Sequence, residues 1–475
     1  MLMNSSQIIM LGTPRIKHSG FLCAGRGDRV KKMQGPRFYL ALWLSKAAAG
    51  IIGLVAKGRG TNLPGVVALK IDPGFLSHLR GIDPEKTVFI TGTNGKSSVT
   101  NLLTRTLTDA GYRVVSNLDG ANMTPGVAVP LLRNATLGGR VRCDYIIMET
   151  DERYVEHIRK QLPAKNLCIT NIQKDQVQRN GEPGFIRNKI SRAIHPDMTL
   201  FLNNDDPNSL CLSGAKRIVP YGVAPHSRSF HREDNFFSVS MPCPKCRGGL
   251  KFEAYNLDNV GVFHCPVCGF SNEAPQKYQI RDISFEEGTF CLDGTSYAFR
   301  NNTPEFLYSY ALASAVAGEF GISPESIQKT FSTFESARCR NDQVMLGKHP
   351  LKFFRIKQEN SETLQSVVNA IASDPEEKTL LFGFDEYVDF YPPYLNTCYM
   401  FDCDFRSLRN SGVSRWVCTS KALGHIGALR FLYDGYAPEK MTILPDSSEQ
   451  TLLGLMDEAA LDNAYLVEEI PYFSR

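Results

Sequence analysis

The stretch that decides the fold is TVFITGTNGKSS, residues 87–98. Thr87–Thr91 is a short apolar run that predicts a buried strand, and residues from about Lys96 to Ala110 have the spacing of an amphipathic helix. The turn between them is rich in glycine, so its backbone N–H groups can point at phosphate oxygens while the helix dipole adds positive charge. The stretch therefore predicts a phosphate-binding loop.

This loop supplies the candidate nucleotide-binding residues. Lys96 is expected to reach the β- and γ-phosphates of ATP, and Ser97 to place its hydroxyl on Mg²⁺. The common form of the loop has a further glycine where this chain has Ile90, so the sequence fits only the shorter Gly-Thr-Asn-Gly-Lys-Ser form. The loop residues that we expect to contact ATP are Gly92, Thr93, Asn94, Gly95, Lys96, Ser97 and Ser98.

A group of acids follows a second apolar run. Residues 143–149 (CDYIIME) predict a buried strand that ends on Glu149, and Asp151 and Glu152 come close behind. A carboxylate at the C-terminal end of a strand, in the same sheet as a phosphate loop, is well placed to hold Mg²⁺. We therefore predict that Glu149 is a catalytic residue and a magnesium ligand. The alternative is a solvated acidic loop.

Further strands are predicted at Val114–Ser116, Leu167–Asn171 and Thr199–Asn203, and helical patterns separate several of them. Strands that alternate with helices predict an α/β fold with a doubly wound parallel sheet.

A third unit begins near residue 345, with strands expected at Thr379–Phe382, Cys398–Asp402 and Arg415–Thr419. The predicted segments are a disordered or artefactual extension (1–35), an N-terminal helix and connector (36–80), an ATP-binding central domain (81–225), a zinc-ribbon insertion (226–300), the remainder of the central domain (301–340) and a C-terminal α/β domain (341–475).

Four of the thirteen cysteines have paired spacing. The pairs are Cys243-x2-Cys246 and Cys265-x2-Cys268, with eighteen residues between them. Two such knuckles supply four thiolates for a tetrahedral Zn²⁺, and four protein ligands leave no open position, so this zinc is expected to be structural. A redox dithiol is the alternative.

The composition is that of a soluble globular protein, with 43% hydrophobic and 21% charged residues. A net charge of +4 over 475 residues does not indicate nucleic acid as a partner. The scattered remaining cysteines indicate a reducing compartment, so we expect a cytoplasmic protein.

Residues 38–56 (FYLALWLSKAAAGIIGLVA) form an apolar stretch of nearly membrane-spanning length, with Lys46 in its middle. Three interpretations stay open: a spanning helix, a helix packed on the first domain, and a helix resting on the inner face of the membrane. The basic residues Arg37, Lys46, Lys57 and Arg59 favour the third. Residues 1–32 read as unstructured, and Met33 is an alternative start.

With these features in place, the chain resembles the MurT family, the Mur-ligase-like subunits of lipid II isoglutaminyl synthase, and reads as a divergent member. The resemblance runs from about Arg37 to near the C-terminus, and the cysteine pairs separate this family from the ordinary Mur synthetases. Its other marks are RGTNLPG (59–65), TGTNGKSS (91–98), DGANMTPGV (119–127), METDE (148–152), TNIQKDQVQRNGE (170–182) and NNDDP (203–207).

The resemblance implies a reaction. ATP would activate the α-carboxylate of D-glutamate in the lipid II stem peptide as an acyl phosphate. Ammonia from a partner glutaminase, GatD, would convert it to D-isoglutamine, the two chains forming a heterodimer. By the same resemblance, Asn203 and Asp205 contact the nucleotide and Arg338 contacts phosphate.

The sequence departs from the family in three places. The Asn-x-x-Asn element used around the adenine is replaced, and Tyr310 stands there as a candidate for stacking on the base. The Asp expected to support the glutaminase falls on Asn396, with Asp389 as a substitute, and both are predicted catalytic positions. The family's Asn-Pro-Ala-Gly element aligns with KQENS (357–361).

These departures keep three hypotheses open. The first is the amidating enzyme just described. The second is a related enzyme that ligates another amine without a glutaminase. The third is a nucleotide-binding scaffold without turnover.

Overall fold

The computed structural model describes residues 34–55, 62–118, 121–232, 241–272, 277–335, 341–356, 359–383, 398–419, 423–446, 448–459 and 463–469. The described part of the chain is built on two mostly parallel sheets, of nine and six strands, and a separate two-stranded hairpin. Helices cover the sheets, as expected for an α/β protein.

Six parallel strands make the first part of the nine-stranded sheet, in the order β6-β5-β4-β1-β3-β2. Their bounds are β1 Thr87–Thr91, β2 Val114–Ser116, β3 Tyr145–Glu149, β4 Asn166–Ile169, β5 Thr199–Asn203 and β6 Arg217–Val223. Every residue of β1, β3 and β4 is buried, as expected for strands covered by helices on both faces.

The first nine helices lie between and before these strands. Their bounds are α1 Pro36–Val55, α2 Leu63–Ile71, α3 Phe75–His78, α4 Lys96–Asp109, α5 Thr124–Asn134, α6 Val155–Gln161, α7 Val177–Asn180, α8 Pro183–Ser191 and α9 Pro207–Leu210. Helix α4 buries Val99, Leu102, Leu103 and Leu107, a stripe at helical spacing that packs on the sheet.

The N-terminal helix α1 packs on the first domain through Phe38, Ala41 and Leu42, which are almost fully buried. Its other face exposes large apolar side chains, among them Leu40 and Trp43. Among the helices that the structure describes, none is long and apolar enough to cross a membrane.

The cysteine-rich segment forms the small antiparallel hairpin, with β7 Lys251–Leu257 and β8 Val260–His264. The chain then returns to the main sheet through β9 Tyr278–Ser284, β10 Thr289–Leu292 and β11 Thr295–Ala298, of which β9 lies parallel to β6. The sequence predicts an insertion over 226–300, but strand pairing puts residues 278–298 in the main sheet. Two helices, α10 Pro304–Glu319 and α11 Pro324–Phe331, pack on that sheet and on α4.

The C-terminal domain is the six-stranded sheet with its helices. Its elements are β12 Asn341–Leu346, β13 His349–Ile356, α12 Ser361–Ala372, β14 Lys378–Gly383, α13 Cys398–Phe401, β15 Val413–Thr419, α14 Leu423–Tyr433, β16 Met441–Leu444, α15 Glu449–Ala459 and β17 Ala464–Glu469. The order is β12-β13-β17-β14-β15-β16, and only β12 and β13 pair antiparallel.

One strand prediction in this domain is wrong. The run Cys398–Asp402 was expected to be a strand, but residues 398–401 form the short helix α13. Tyr399 and Met400 are both buried in the same core cluster, which the alternating faces of a strand would not allow. Packing on the domain core has overridden a local preference for extended structure.

Candidate active site

The phosphate loop lies where β1 ends, between β3 and β4. Gly92 has a φ of 128°, and a Cβ there would stand 2.4 Å from Thr170 Oγ1, so only glycine fits the loop at this point. Asn171, which follows the neighbouring strand β4, holds the loop in place through two hydrogen bonds. Its carbonyl oxygen accepts from Thr93 N at 2.8 Å, and its Oδ1 accepts from Asn94 N at 3.0 Å. The shape of the loop is thus fixed by the sheet below it.

The side chain of Lys96, 11% exposed, lies at the start of α4 and donates to three acceptors. These are the carbonyls of Gly92 and Thr93 and, at 3.2 Å, the carboxylate of Glu152. Burial acts to lower the pKa of Lys96, but the nearby charges of Glu152, Glu149 and Asp175 outweigh it and raise that pKa above its ordinary value. The ammonium is therefore charged at neutral pH, as a phosphate-binding lysine must be.

Glu149 ends β3 one strand away and faces the same loop. Its Oε2 accepts from Ser97 Oγ at 2.7 Å, its Oε1 accepts from Asn122 Nδ2 at 3.0 Å, and the residue is 4% exposed. A hydroxyl and a carboxylate oxygen in contact beside a phosphate loop are the hard donors that Mg²⁺ prefers, so this pair fits the ion. The geometry brings together the residues predicted to hold magnesium, and their role stays a prediction.

Glu152 belongs to this cluster although we did not predict it as a site residue. It forms an ion pair with Lys96, and both side chains are largely buried. The signal was present in the acids of METDE (148–152), but residue order alone does not show which of them faces the lysine. The neighbouring Asp151 instead pairs with Arg153 at 2.9 Å and holds the local turn.

Two further predicted ATP contacts have other partners. Asn203 is 1% exposed, donates to Thr170 O and accepts from Asp205 N. The carboxylate of Asp205 accepts from Val223 N at 2.8 Å and Tyr308 Oη at 2.9 Å. Burial raises the pKa of Asp205 to about 6, while these hydrogen bonds act to lower it. Asn203 thus braces the end of the sheet and Asp205 ties the sheet to α10, while their contact with a nucleotide stays a prediction.

Tyr310, which was predicted to stack on adenine, lies in the hydrophobic core. Its ring is fully buried among Phe290, Phe299, Phe306 and Phe331, with centroid distances from 4.7 to 5.8 Å. Its hydroxyl accepts from Asn301 Nδ2 at 3.2 Å. The ring is a core side chain on the inner face of α10, so no face of it is open for stacking on adenine.

The C-terminal domain meets the phosphate loop directly through the start of α12. Asn94 Nδ2 donates to Glu362 Oε2 at 2.7 Å, and Asn360 Nδ2 donates to Asp175 Oδ1 at 3.0 Å. Asn360 also caps α12 by accepting from Thr363 N. Asn360 lies in the KQENS segment (357–361), which departs from the family pattern, and Glu362 follows directly after it. An Asn before a helical pattern signals a cap, but nothing in the sequence shows what else it contacts.

The remaining predicted residues cannot be placed. Asp389 and Asn396 lie outside the described residues, and so does Arg338. Their proposed roles stay predictions.

The four paired cysteines converge on one point. Their sulfur atoms all lie within 4.8 Å of one another, with Cys243 and Cys268 at 3.7 Å and Cys246 and Cys265 at 3.5 Å. Four thiolates around one Zn²⁺ at 2.3 Å would stand about 3.8 Å apart, so the cluster fits a tetrahedral ion. Cys243 and Cys265 are buried, while the other two are exposed at the surface of the hairpin.

Comparison with known proteins shows what this site is similar to. The Mur ligase middle domain family matches residues 90–241, which run from the phosphate loop to the edge of the cysteine cluster. Residues 90–241 are thus similar to the Mur ligase middle domain. This match and the two mostly parallel sheets confirm the predicted fold class.

Among curated proteins, the chain is homologous to MurT subunits of lipid II isoglutaminyl synthase (glutamine-hydrolyzing). The protein from Staphylococcus aureus (strain COL) is 27% identical over 399 residues, which cover 81% of this chain and 85% of the relative. The protein from Streptococcus pneumoniae (strain ATCC BAA-255 / R6) is 25% identical over 419 residues, which cover 86% and 90%.

Among solved structures, a pseudomurein peptide ligase type C from Methanothermus fervidus aligns with a TM-score of 0.59 and 18% identity, covering 81% of this chain and 76% of that one. At this identity the likeness shows a shared Mur ligase fold.

Proposed function

We propose that this chain is the ATP-dependent subunit of an amidating ligase of cell-wall synthesis. Its substrate is the α-carboxylate of D-glutamate in the lipid II stem peptide, and its product is D-isoglutamine. The observation that carries the proposal is the buried cluster of Lys96, Glu149 and Glu152 at the phosphate loop. It lies within a chain that is similar to MurT subunits over more than four-fifths of its length.

The proposed phosphoryl transfer requires specific roles of residues in this chain. A carboxylate and the γ-phosphate of ATP repel each other, so positive charge must lie between them as the phosphoryl group moves. Lys96 is a charged, buried donor at this point, and Ser97 and Glu149 would hold Mg²⁺, which adds further charge neutralisation. The acyl phosphate forms as ADP leaves, and ammonia then displaces phosphate to give the amide.

Water must be kept from the acyl phosphate until ammonia arrives. The contacts of Asn360 and Glu362 with Asn94 and Asp175 close the C-terminal domain over the phosphate loop, and all four residues are at most 7% exposed. A closed site between two domains excludes solvent and strengthens the electrostatic interactions inside it.

A glutaminase partner of the GatD type would supply the ammonia. We assign Asn396 and Asp389 to the surface that supports it, on the resemblance alone. The cysteine cluster would hold a structural Zn²⁺, because its four thiolates leave no ligand position for a substrate.

The test is reconstitution. The purified chain, a GatD-type glutaminase, ATP, glutamine and lipid II are expected to give amidated stem peptide, detected by mass spectrometry of the released muropeptide. Product formed with ammonium and with glutamine supports the pair. Product with another amine, and none with ammonium, would favour the second hypothesis. Nucleotide binding without any product would favour the scaffold.

We further propose that α1 rests on the membrane surface, where lipid II resides. Leu40, Trp43, Leu44 and Ile51 lie at helical spacing on its outer face and are 48 to 62% exposed. The exposed Arg37 lies on this helix, and the exposed Arg133 and Arg140 lie in the neighbouring segment whose carbonyls accept from Trp43 and Lys46. Their positive charge matches that of an anionic bilayer.

Sedimentation with vesicles tests this contact. The chain should bind vesicles with anionic lipid more strongly than neutral ones, and Leu40→Ser with Leu44→Ser should weaken binding. Leu429→Ser is the matched control, since Leu429 is 45% exposed on α14 of the other domain. Equal binding of all three proteins would overturn the proposal.

A further inference from the structure

A cavity of about 390 Å³ lies where the central domain, the cysteine hairpin and the C-terminal domain meet. Gln173 and Ser361 are among its lining residues. Gln173 N donates to Thr93 Oγ1 of the phosphate loop at 2.9 Å, and Ser361 follows Asn360, which contacts the same loop. The cavity therefore lies beside segments that contact the phosphate loop. Clefts of this size at domain junctions are the usual places for ligands.

The lining of the cavity is rich in cations. Lys174, Arg187, Arg232 and Arg247 reach it, against the carboxylates of Glu182 and Asp402. Lys174 pairs with Asp402 at 3.0 Å, and Arg232 pairs with Asp258 behind the wall.

The two other guanidinium groups differ from these. Among the described residues, Arg187 bonds only the neutral Asn208 Oδ1, at 3.2 Å, and no carboxylate pairs with Arg247. No ion pair joins either group to a carboxylate in the described part of the chain, although the charge of Arg187 acts on the buried Asp206. Guanidinium groups of this kind at one cavity are suited to binding an oxyanion through paired hydrogen bonds.

Arg247 stands at a position where a side chain is disfavoured. It follows Cys246 in the first knuckle and has a φ of 68°, in the left-handed region that L residues rarely adopt. The second knuckle has Gly269 at the matching position, with a φ of 70°. Both residues donate their N–H to the carbonyl of the first cysteine of their knuckle, at 2.9 Å. The two turns are therefore alike, and glycine would serve the first as it serves the second.

A strained residue at a position where glycine would fit points to a role outside the turn itself. We propose that Arg247 and Arg187 bind a carboxylate of the peptide substrate, other than the one amidated, inside this cavity. The inference rests on the proposed function and gives the cysteine hairpin a part in substrate recognition. The ligand class is an acidic peptide, whose reacting carboxylate lies at the phosphate loop while a second carboxylate reaches the guanidinium groups.

Calorimetry with two soluble stem peptides tests this, one with a free C-terminal carboxylate and one with that carboxylate amidated. The full-length chain should bind the free acid about tenfold more tightly, the effect of one lost charge-assisted hydrogen-bond pair. Arg247→Gly should abolish the preference while keeping the metal content and thermal stability of the parent, because glycine suits the turn. Arg187→Gln is a second variant, away from the metal ligands. Lys251→Ala, an exposed cation on the same hairpin outside the cavity, should keep the preference.

Equal affinity of the parent for both peptides would overturn the inference. So would an unchanged preference in Arg247→Gly and Arg187→Gln. Competition by inorganic pyrophosphate, without discrimination between the peptides, would assign the cavity to a phosphate ligand instead and also overturn it. Because binding is measured without glutaminase, failure of amidation by the parent would count against the proposed function and leave this result intact.

Discussion

At the scale of the residue, Lys96 shows how the fold and the chemistry depend on the same atoms. Its ammonium bonds the carbonyls of its own loop and Glu152, so it is held in place before any substrate binds. The sequence could predict Lys96, Ser97 and Glu149 because a strand end and a glycine turn fix their positions. It could not show that Tyr310 is a core side chain, since matching residues to a motif carries no information on burial.

Lys96→Ala should lower the rate of ATP-dependent product formation at least about 100-fold, because the proposed function gives this largely buried ammonium the role of neutralising charge on the transferring phosphate. The rate is measured by ADP release in the reconstituted system. Arg105→Ala on the exposed face of the same helix is the control and should behave as the parent. Retained turnover in Lys96→Ala would contradict the assignment.

His226 predicts a pH dependence of stability. Burial, with a smaller effect of Arg228, lowers the pKa of His226 to about 4. The unfolded chain, with a pKa near 6.5, therefore binds more protons, so stability falls as the pH drops from about 6.5 towards 4. The loss should be about 2 kcal/mol after allowing for partial exposure. The free energy of unfolding, measured with urea at several pH values in this range, should change less with pH in His226→Gln than in the parent. The same pH dependence in both proteins would refute the argument.

At the scale of the element, the spacing of the cysteines predicted the four-cysteine cluster, while the sequence pattern did not show where the segment around it, expected over 226–300, rejoins the main sheet. Two Cys-x-x-Cys pairs specify a local cluster, whatever the rest of the chain does. The return of residues 278–298 to the main sheet depends on pairing between β6 and β9, which are far apart in sequence. Such non-local pairing leaves no local pattern, and the same holds for the helix at 398–401.

Cys246→Ser should release the metal and destabilise the hairpin by at least about 2 kcal/mol, because metal binding there contributes directly to folding. Metal content by mass spectrometry and a thermal unfolding scan measure the two effects. Cys291→Ser, a half-buried cysteine outside the cluster, is the control and should keep its metal. Full zinc content in Cys246→Ser would contradict a four-thiolate site.

At the scale of the whole molecule, Asn360 connects the cap of α12 with closure over the phosphate loop. Asn360→Ala should cost about 1 kcal/mol of stability for the lost cap and should also lower kcat, because the closed arrangement loses its contacts with Asn94 and Asp175. Ser323→Ala removes a comparable cap from α11, at no domain contact, and should change stability alone. An equal effect of both variants on kcat would contradict the proposal that Asn360 holds the C-terminal domain closed over the phosphate loop.

The position of the cysteine hairpin between β6 and β9 has a consequence for the order of folding. The chain leaves the main sheet at Val223 and must return at Tyr278 before the last three strands can join. Bringing the ends of so long a loop together is entropically costly. A metal ion bound by the four thiolates would shorten the free loop before β9 arrives. The supply of that ion would then set how fast the sheet is completed, so a chelator would slow refolding as well as weaken the folded state.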